Sequence, residues 1–147
     1  MTARGLGIWV VCVCLAASPL SLRGQNANTA AGITQTFAER WAEPNSNALL
    51  ELFDPNGVLF AFEGREHRDL DRPKLLATVD QVRDGAVGGG VRLLRVVPVA
   101  GSPGRAFAEL LWEAVMAGTS ESVEYTVYLG LVQRADRWWV SEIRLLP

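Results

Sequence analysis

His67 is the single histidine in the chain, and it sits in a polar stretch, residues 63–69. A lone imidazole buried beside an acid serves as a general base; on a solvated turn it does nothing of the kind. Glu109 and Glu113 lie four apart in a run of strand composition, so they share a face, and both have apolar neighbours. Inside a dry cavity, desolvation would raise their pKa and make either a proton donor or acceptor, whereas on an outer face they would be solubility charges. His67, Glu109 and Glu113 are therefore the candidate catalytic groups.

Tyr125 and Tyr128 have opposite parity, so only one of them points inward and offers a hydroxyl to a ligand. Trp41, Phe60, Phe62, Trp112 and one ring of the Trp138-Trp139 pair, with Trp139 as the candidate, would build an apolar wall around it. Glu142 with Arg144 reads as a surface ion pair. There is no HExxH and no paired histidine, and both cysteines, Cys12 and Cys14, lie in the N-terminal apolar run. No protein-bound metal is expected. Gly88-Gly89-Gly90 lacks a following Gly-Lys-Ser/Thr and opens no helix, so it reads as a hinge or flexible linker rather than a phosphate loop. No cofactor is expected.

The elements that would position these side chains follow from spacing and punctuation. Asn28 or Thr29 caps a first helix with Ile33, Phe37 and Trp41 on its apolar side. Ser46 or Asn47 caps a shorter second helix presenting Leu49, Leu52 and Phe53, and Asp54-Pro55-Asn56-Gly57 forces a turn. Residues 58–62 make a strand, and residues 66–69 its return in a small hairpin. Asp71 followed by Pro73 starts a third helix with Leu75, Leu76, Val79 and Val82 along its buried stripe. Residues 91–97, 105–117, 123–134 and 138–146 then read as four strands. Helices segregated before strands are an α+β pattern, with helices on one face of an antiparallel sheet.

Parity separates the strand faces. In residues 105–117 the even positions, from Ala106 to Met116, are uniformly apolar, while the odd ones mix apolar groups with Glu109 and Glu113. The next strand sets Val123, Tyr125, Val127, Leu129 and Leu131 on one side. The last sets Trp138, Val140, Glu142 and Arg144 against Trp139, Ser141, Ile143 and Leu145. Large apolar groups on both faces predict a cover on each, the helices on one and a ligand or second subunit on the other.

A chain of 147 residues that is 49% hydrophobic suits one domain. Arg4, the apolar run of residues 8–17 and Ser18-Pro19 match a secretory signal, too short to span a bilayer. Residues 1–24 are read as that signal, with cleavage after Gly24, residues 25–28 as a disordered stub and residues 29–147 as the domain. An uncleaved membrane anchor is the alternative. The mature domain would hold no cysteine and rest on packing alone in a secreted or periplasmic setting. Its mildly acidic balance without a basic block argues against nucleic acid, and after cleavage no membrane partner is expected.

Phe37 and Trp41 on the first helix, Leu49 to Phe53 before Asp54-Pro55-Asn56-Gly57-Val58, and the terminal Asp136-Arg137-Trp138-Trp139-Val140 occur in an order that resembles the NTF2-like superfamily, especially its SnoaL-like, DUF4440-like branch. The resemblance implies a cone, a strongly curved antiparallel sheet on three N-terminal helices with a pocket inside, often dimerising through the outer sheet face. It also implies where steroid-isomerase-like members keep a Tyr and two Asp residues. On that resemblance those positions fall at Phe37, Ala61 and Gly130, which lack the needed chemistry. An epoxide-hydrolase-like Asp-Arg-Asp set is not matched either. Fold leaves function open. One expectation is a non-catalytic small-molecule-binding or homodimeric scaffold module with an apolar pocket. The other is a cofactor-free lyase, isomerase or hydrolase using Glu109 or Glu113 with His67 or a tyrosine.

Overall fold

The computed structural model describes residues 28–147; the expected signal, both cysteines and the expected cleavage point lie outside the described residues. Helix α1, Ala30–Ala42, starts at Thr29, whose hydroxyl accepts from the Gly32 N–H at 3.0 Å. It buries Ile33, Phe37 and Trp41 at their four-residue spacing. The second helix is 3-10 rather than α, Ser46–Leu52, and Asn45 caps it in place of Ser46 or Asn47. Its buried residues Leu49 and Leu52 are three apart, the spacing that falls on one side of a 3-10 turn.

Asp54 then locks the turn that the sequence marks. It is buried, its Oδ1 accepts from the Asn56 N–H at 2.9 Å, and its Oδ2 pairs with the Arg134 guanidinium at 3.1 Å. Strands β1, Val58–Phe62, and β2, Arg65–Leu70, form the hairpin. Helix α2, Arg72–Gly85, is capped by Asp71, which accepts from the Lys74 N–H at 3.0 Å. That backbone bond first, and the Lys74 ammonium second, hold the Asp71 carboxyl below its ordinary pKa.

The remaining strands are β3, Ala86–Val87, β4, Val91–Pro98, β5, Arg105–Met116, β6, Ser122–Arg134, and β7, Arg137–Leu146. All seven join one curled sheet in the order β2-β1-β7-β6-β5-β3, with β4 also pairing β5. The sheet is mixed, not purely antiparallel, because β1 runs parallel to β7 from Leu59↔Glu142 to Phe62↔Leu145. Such a pairing joins segments far apart in sequence, and nothing local announces it. Gly88-Gly89-Gly90 is not a linker: it divides one sheet edge into β3 and β4, both bonded to β5.

The inner face carries Ala106, Ala108, Leu110, Trp112 and Ala114 of β5 and Tyr125, Val127, Leu129 and Leu131 of β6. On β7 simple alternation fails. Leu131 pairs with Val140 and Gly130 with Glu142, leaving Ser141 as an extra residue. This bulge reverses parity, so Val140, Ile143 and Leu145 are all buried while Glu142 and Arg144 share the outer face. Trp138 packs against the core, and Trp139 turns outward beneath the Arg137 guanidinium, 4.1 Å from its ring centre.

Candidate functional site

The inner face closes on a ladder of aromatic rings. Phe37 stacks on Trp41 at 5.4 Å, Trp41 meets Trp112 edge-on at 5.4 Å, Trp112 stacks on Tyr125 at 5.3 Å, and Tyr125 leans on Phe62 at 5.8 Å. The five rings come from α1, β1, β5 and β6, so the ladder ties the helix layer to the sheet. Each contact adds about 0.5–1.5 kcal/mol beyond the area it buries.

Two spaces open beside this ladder, one at its middle rings and one at its Phe62 end. The larger, about 350 Å³, lies between the C-terminal ends of α1 and α2 and strand β3. Trp41 and Trp112 line it with Ser46, Asp80, Arg83, Asp84 and Ala86. Arg83 is committed elsewhere, donating to Ser46 Oγ at 2.6 Å and to the Glu43 carbonyl. The Trp41 Nε1–H is buried with no acceptor among the described residues, an unmet donor of the kind folded proteins rarely leave. The smaller space, about 160 Å³, lies between the β1–β2 hairpin and α2, lined by Phe60, Phe62, Glu63, Arg65, His67, Thr78, Gln81 and Val82.

The candidate catalytic groups do not converge. Glu109 and Glu113 are on the outer face of β5, because the even positions of that strand are the buried ones. Glu109 pairs there with Arg95 at 2.5 Å, and Glu113 is exposed directly opposite Glu124. His67 belongs to β2, with β1, β7 and β6 between it and β5. It is the cross-strand partner of the buried Phe60, which puts it on the opposite face from the two acids.

Of the apolar wall, Trp41, Trp112, Phe60, Phe62 and Tyr125 are on the inner side. Tyr128 is outside, paired across β5–β6 with Glu109, and Trp139 is outside because it alternates with the inward Trp138 and Val140 ahead of the bulge. The steroid-isomerase positions also need correction. Ala61 and Gly130 lie on the outer face, Ala61 opposite Arg144 and Gly130 opposite Glu142. The adjacent inward positions are Phe60, Phe62, Leu129 and Leu131, all apolar, so moving the register by one supplies no acid.

The buried carboxylate among the described residues is Asp54, and Arg134 and the turn consume it. No three His, Cys, Asp or Glu side chains among the described residues gather as a metal ion would need. No described helix is long and apolar enough to cross a membrane. On the outer face, Glu142, Arg144, Glu66 and Arg68 form a linked set of ion pairs. The bond to Glu142 raises the Arg144 pKa above its ordinary value, so this cation stays charged.

No family model matches the sequence, and no curated protein does. Solved structures do match in shape. One is a hypothetical protein with a ketosteroid isomerase-like fold from Catenulispora acidiphila, in complex with trimethylamine. It has a TM-score of 0.61 at 14% identity, over 78% of this chain and 84% of that one. A DUF4783 family protein from Bacteroides uniformis gives 0.62 at 11% identity, over 76% and 93% of the two chains. An NTF2-like protein of unknown function from an Exiguobacterium species gives 0.59 at 12%, over 78% and 97%. The fold is therefore the NTF2-like cone, and identities this low carry the fold alone.

Proposed function

We propose that this chain is a non-catalytic small-molecule-binding module of the SnoaL-like kind, exported to a secreted or periplasmic setting, whose ligand occupies the larger cavity. One observation carries this reading. A space at the lower end of ligand-pocket volumes is walled by two indoles, and none of His67, Glu109 and Glu113 lines it. A neighbour of the same fold holding trimethylamine supports a scaffold that accommodates small molecules.

The test is a thermal-shift screen of small apolar compounds on the wild type and on Val87→Trp, which fills the cavity mouth from a half-exposed position. A true ligand at a hundredfold excess over its Kd adds about 2.7 kcal/mol of stability, and Val87→Trp should abolish that gain. No stabilising compound, or stabilisation that survives in Val87→Trp, defeats the reading. Turnover of an isomerase, cyclase or hydrolase substrate that vanishes in His67→Ala would instead favour the enzyme.

We also propose a homodimer formed through the outer face. Phe107, 52% exposed, sits directly opposite Val97, 46% exposed, in the β4–β5 pairing, and with Tyr128 and the Arg95–Glu109 ion pair they line a groove. Sedimentation velocity at micromolar concentration should show a dimer for the wild type and a monomer for Phe107→Glu, with unchanged circular dichroism. A monomeric wild type removes the proposal.

A further inference from the structure

The smaller cavity has a chemistry that the binding reading of the larger one does not use. Its floor is apolar, made of Phe60, Phe62 and Val82. Its rim is polar, and the hairpin register explains why. Phe60 pairs with His67 and Phe62 with Arg65, and directly paired residues share a face. The imidazole and guanidinium therefore stand beside the two phenyl rings on the helix side of the hairpin, with Thr78 and Gln81 of α2 opposite. The other side of β2 carries Glu66 and Arg68, whose charges are spent in the outer-face ion pairs.

Arg65 takes no part in any ion pair among the described residues, and neither does His67. The rim thus offers a fixed cation with a forked set of donors, an imidazole and an amide, against one acid, Glu63, at the hairpin tip. We infer that this cavity is a binding site for a small carboxylic acid with an aromatic or branched hydrocarbon body. The carboxylate would lie against the Arg65 fork with His67 as second donor, and the hydrocarbon on Phe60, Phe62 and Val82. An organic cation would meet Arg65, and an inorganic oxyanion would leave the apolar floor without a partner. At about 160 Å³ the site holds one ring or a short branched chain rather than a sterol-sized body.

Benzoate is the probe, with benzyl alcohol and inorganic phosphate beside it, followed by amide chemical shifts in two-dimensional NMR of the whole chain. Benzoate should shift the amides of β1, β2 and α2 around Phe62, Arg65 and Gln81, and saturate. Arg65→Gln should weaken it by about tenfold or more, the scale of one charge-assisted bond pair, and Arg65→Lys should restore part of that loss. Benzyl alcohol and phosphate should each bind far more weakly. Arg65 and His67 are exposed, so the variants keep the fold, which unchanged circular dichroism verifies. Absence of saturable shifts, equal binding of benzyl alcohol or of phosphate, or an Arg65→Gln variant that binds benzoate as the wild type does would each overturn the inference. Shifts confined to the surroundings of Trp41 and Trp112 would also overturn it, while leaving the larger cavity's role intact.

Discussion

Trp112→Ala is expected to lower the unfolding free energy by about 3–5 kcal/mol, the range for deleting a large buried aromatic. Trp112 is 3% exposed and is the only ring of the ladder that touches both Trp41 on α1 and Tyr125 on β6. Removing it leaves a void between the helix layer and the sheet that backbone relaxation cannot fill, because β5 is held by β4 and β6 on its two sides. A domain of this size has roughly 5–15 kcal/mol in all, so the variant would be marginal. Trp139→Ala is the control: its half-buried ring lies on the outer face under Arg137, a contact worth about 0.5–1 kcal/mol, and its loss should cost clearly less than that of Trp112. Urea unfolding should show a much lower midpoint for Trp112→Ala with little change in slope, and a small shift for Trp139→Ala. Equal losses would mean that the ladder is not the joint between the layers.

That contrast between two tryptophans shows what the sequence could and could not convey. Local chemistry was legible wherever a side chain answers to its own neighbours. Asp71 before Pro73 marks a helix start, Asp54 to Gly57 a turn, and uniformly apolar even positions in β5 a buried face; each stands as expected. The inward face of β7 was not legible, because the extra residue at Ser141 reverses parity halfway along the strand. Counting alternate residues from Trp138 therefore groups Glu142 and Arg144 with the core and places Ile143 with the surface. A one-residue offset likewise affects Ala61 and Gly130, which the family resemblance offers as pocket positions and the register puts outside.

The candidate site was legible in composition but not in arrangement. Trp41, Trp112 and Tyr125 do come together, since their positions follow from amphipathic spacing on α1 and plain alternation on β5 and β6. Glu109 and Glu113 were ambiguous because their outer face is itself partly apolar, with Phe107, Leu111 and Val115 between and beside them. Hydrophobic neighbours do not tell a dry cavity from an exposed sheet face. Arg65, Thr78 and Gln81 carried no signal at all: they are ordinary polar residues until the hairpin register and α2 bring them around Phe60 and Phe62.

Gly89→Ala should cost more than any other single added methyl in the sheet edge, roughly 2–4 kcal/mol, from strain and lost pairing together. Gly89 has φ +76°, where an L side chain is already strained, and a Cβ there would lie 1.3 Å from the Glu113 carbonyl oxygen and 2.4 Å from its carbon. Both obstacles are backbone of β5, so no rotamer change relieves the overlap. The edge must move, at the expense of the Glu113 N–H bond to the Gly90 carbonyl and the adjacent β3–β5 pairing. Gly88 separates the two causes. Its φ is +68°, yet nothing lies within 4 Å of its Cβ position, so Gly88→Ala carries the left-handed strain alone, about 1–2 kcal/mol. At roughly 3–5 °C per kcal/mol for a domain this long, the melting temperature of Gly89→Ala should fall well below that of Gly88→Ala. A flexible linker would make the two variants alike, and that result would return the glycine triplet to the reading its sequence first invites. A clear gap between them identifies the triplet as the point where the edge strand crosses against β5 in contact with its backbone.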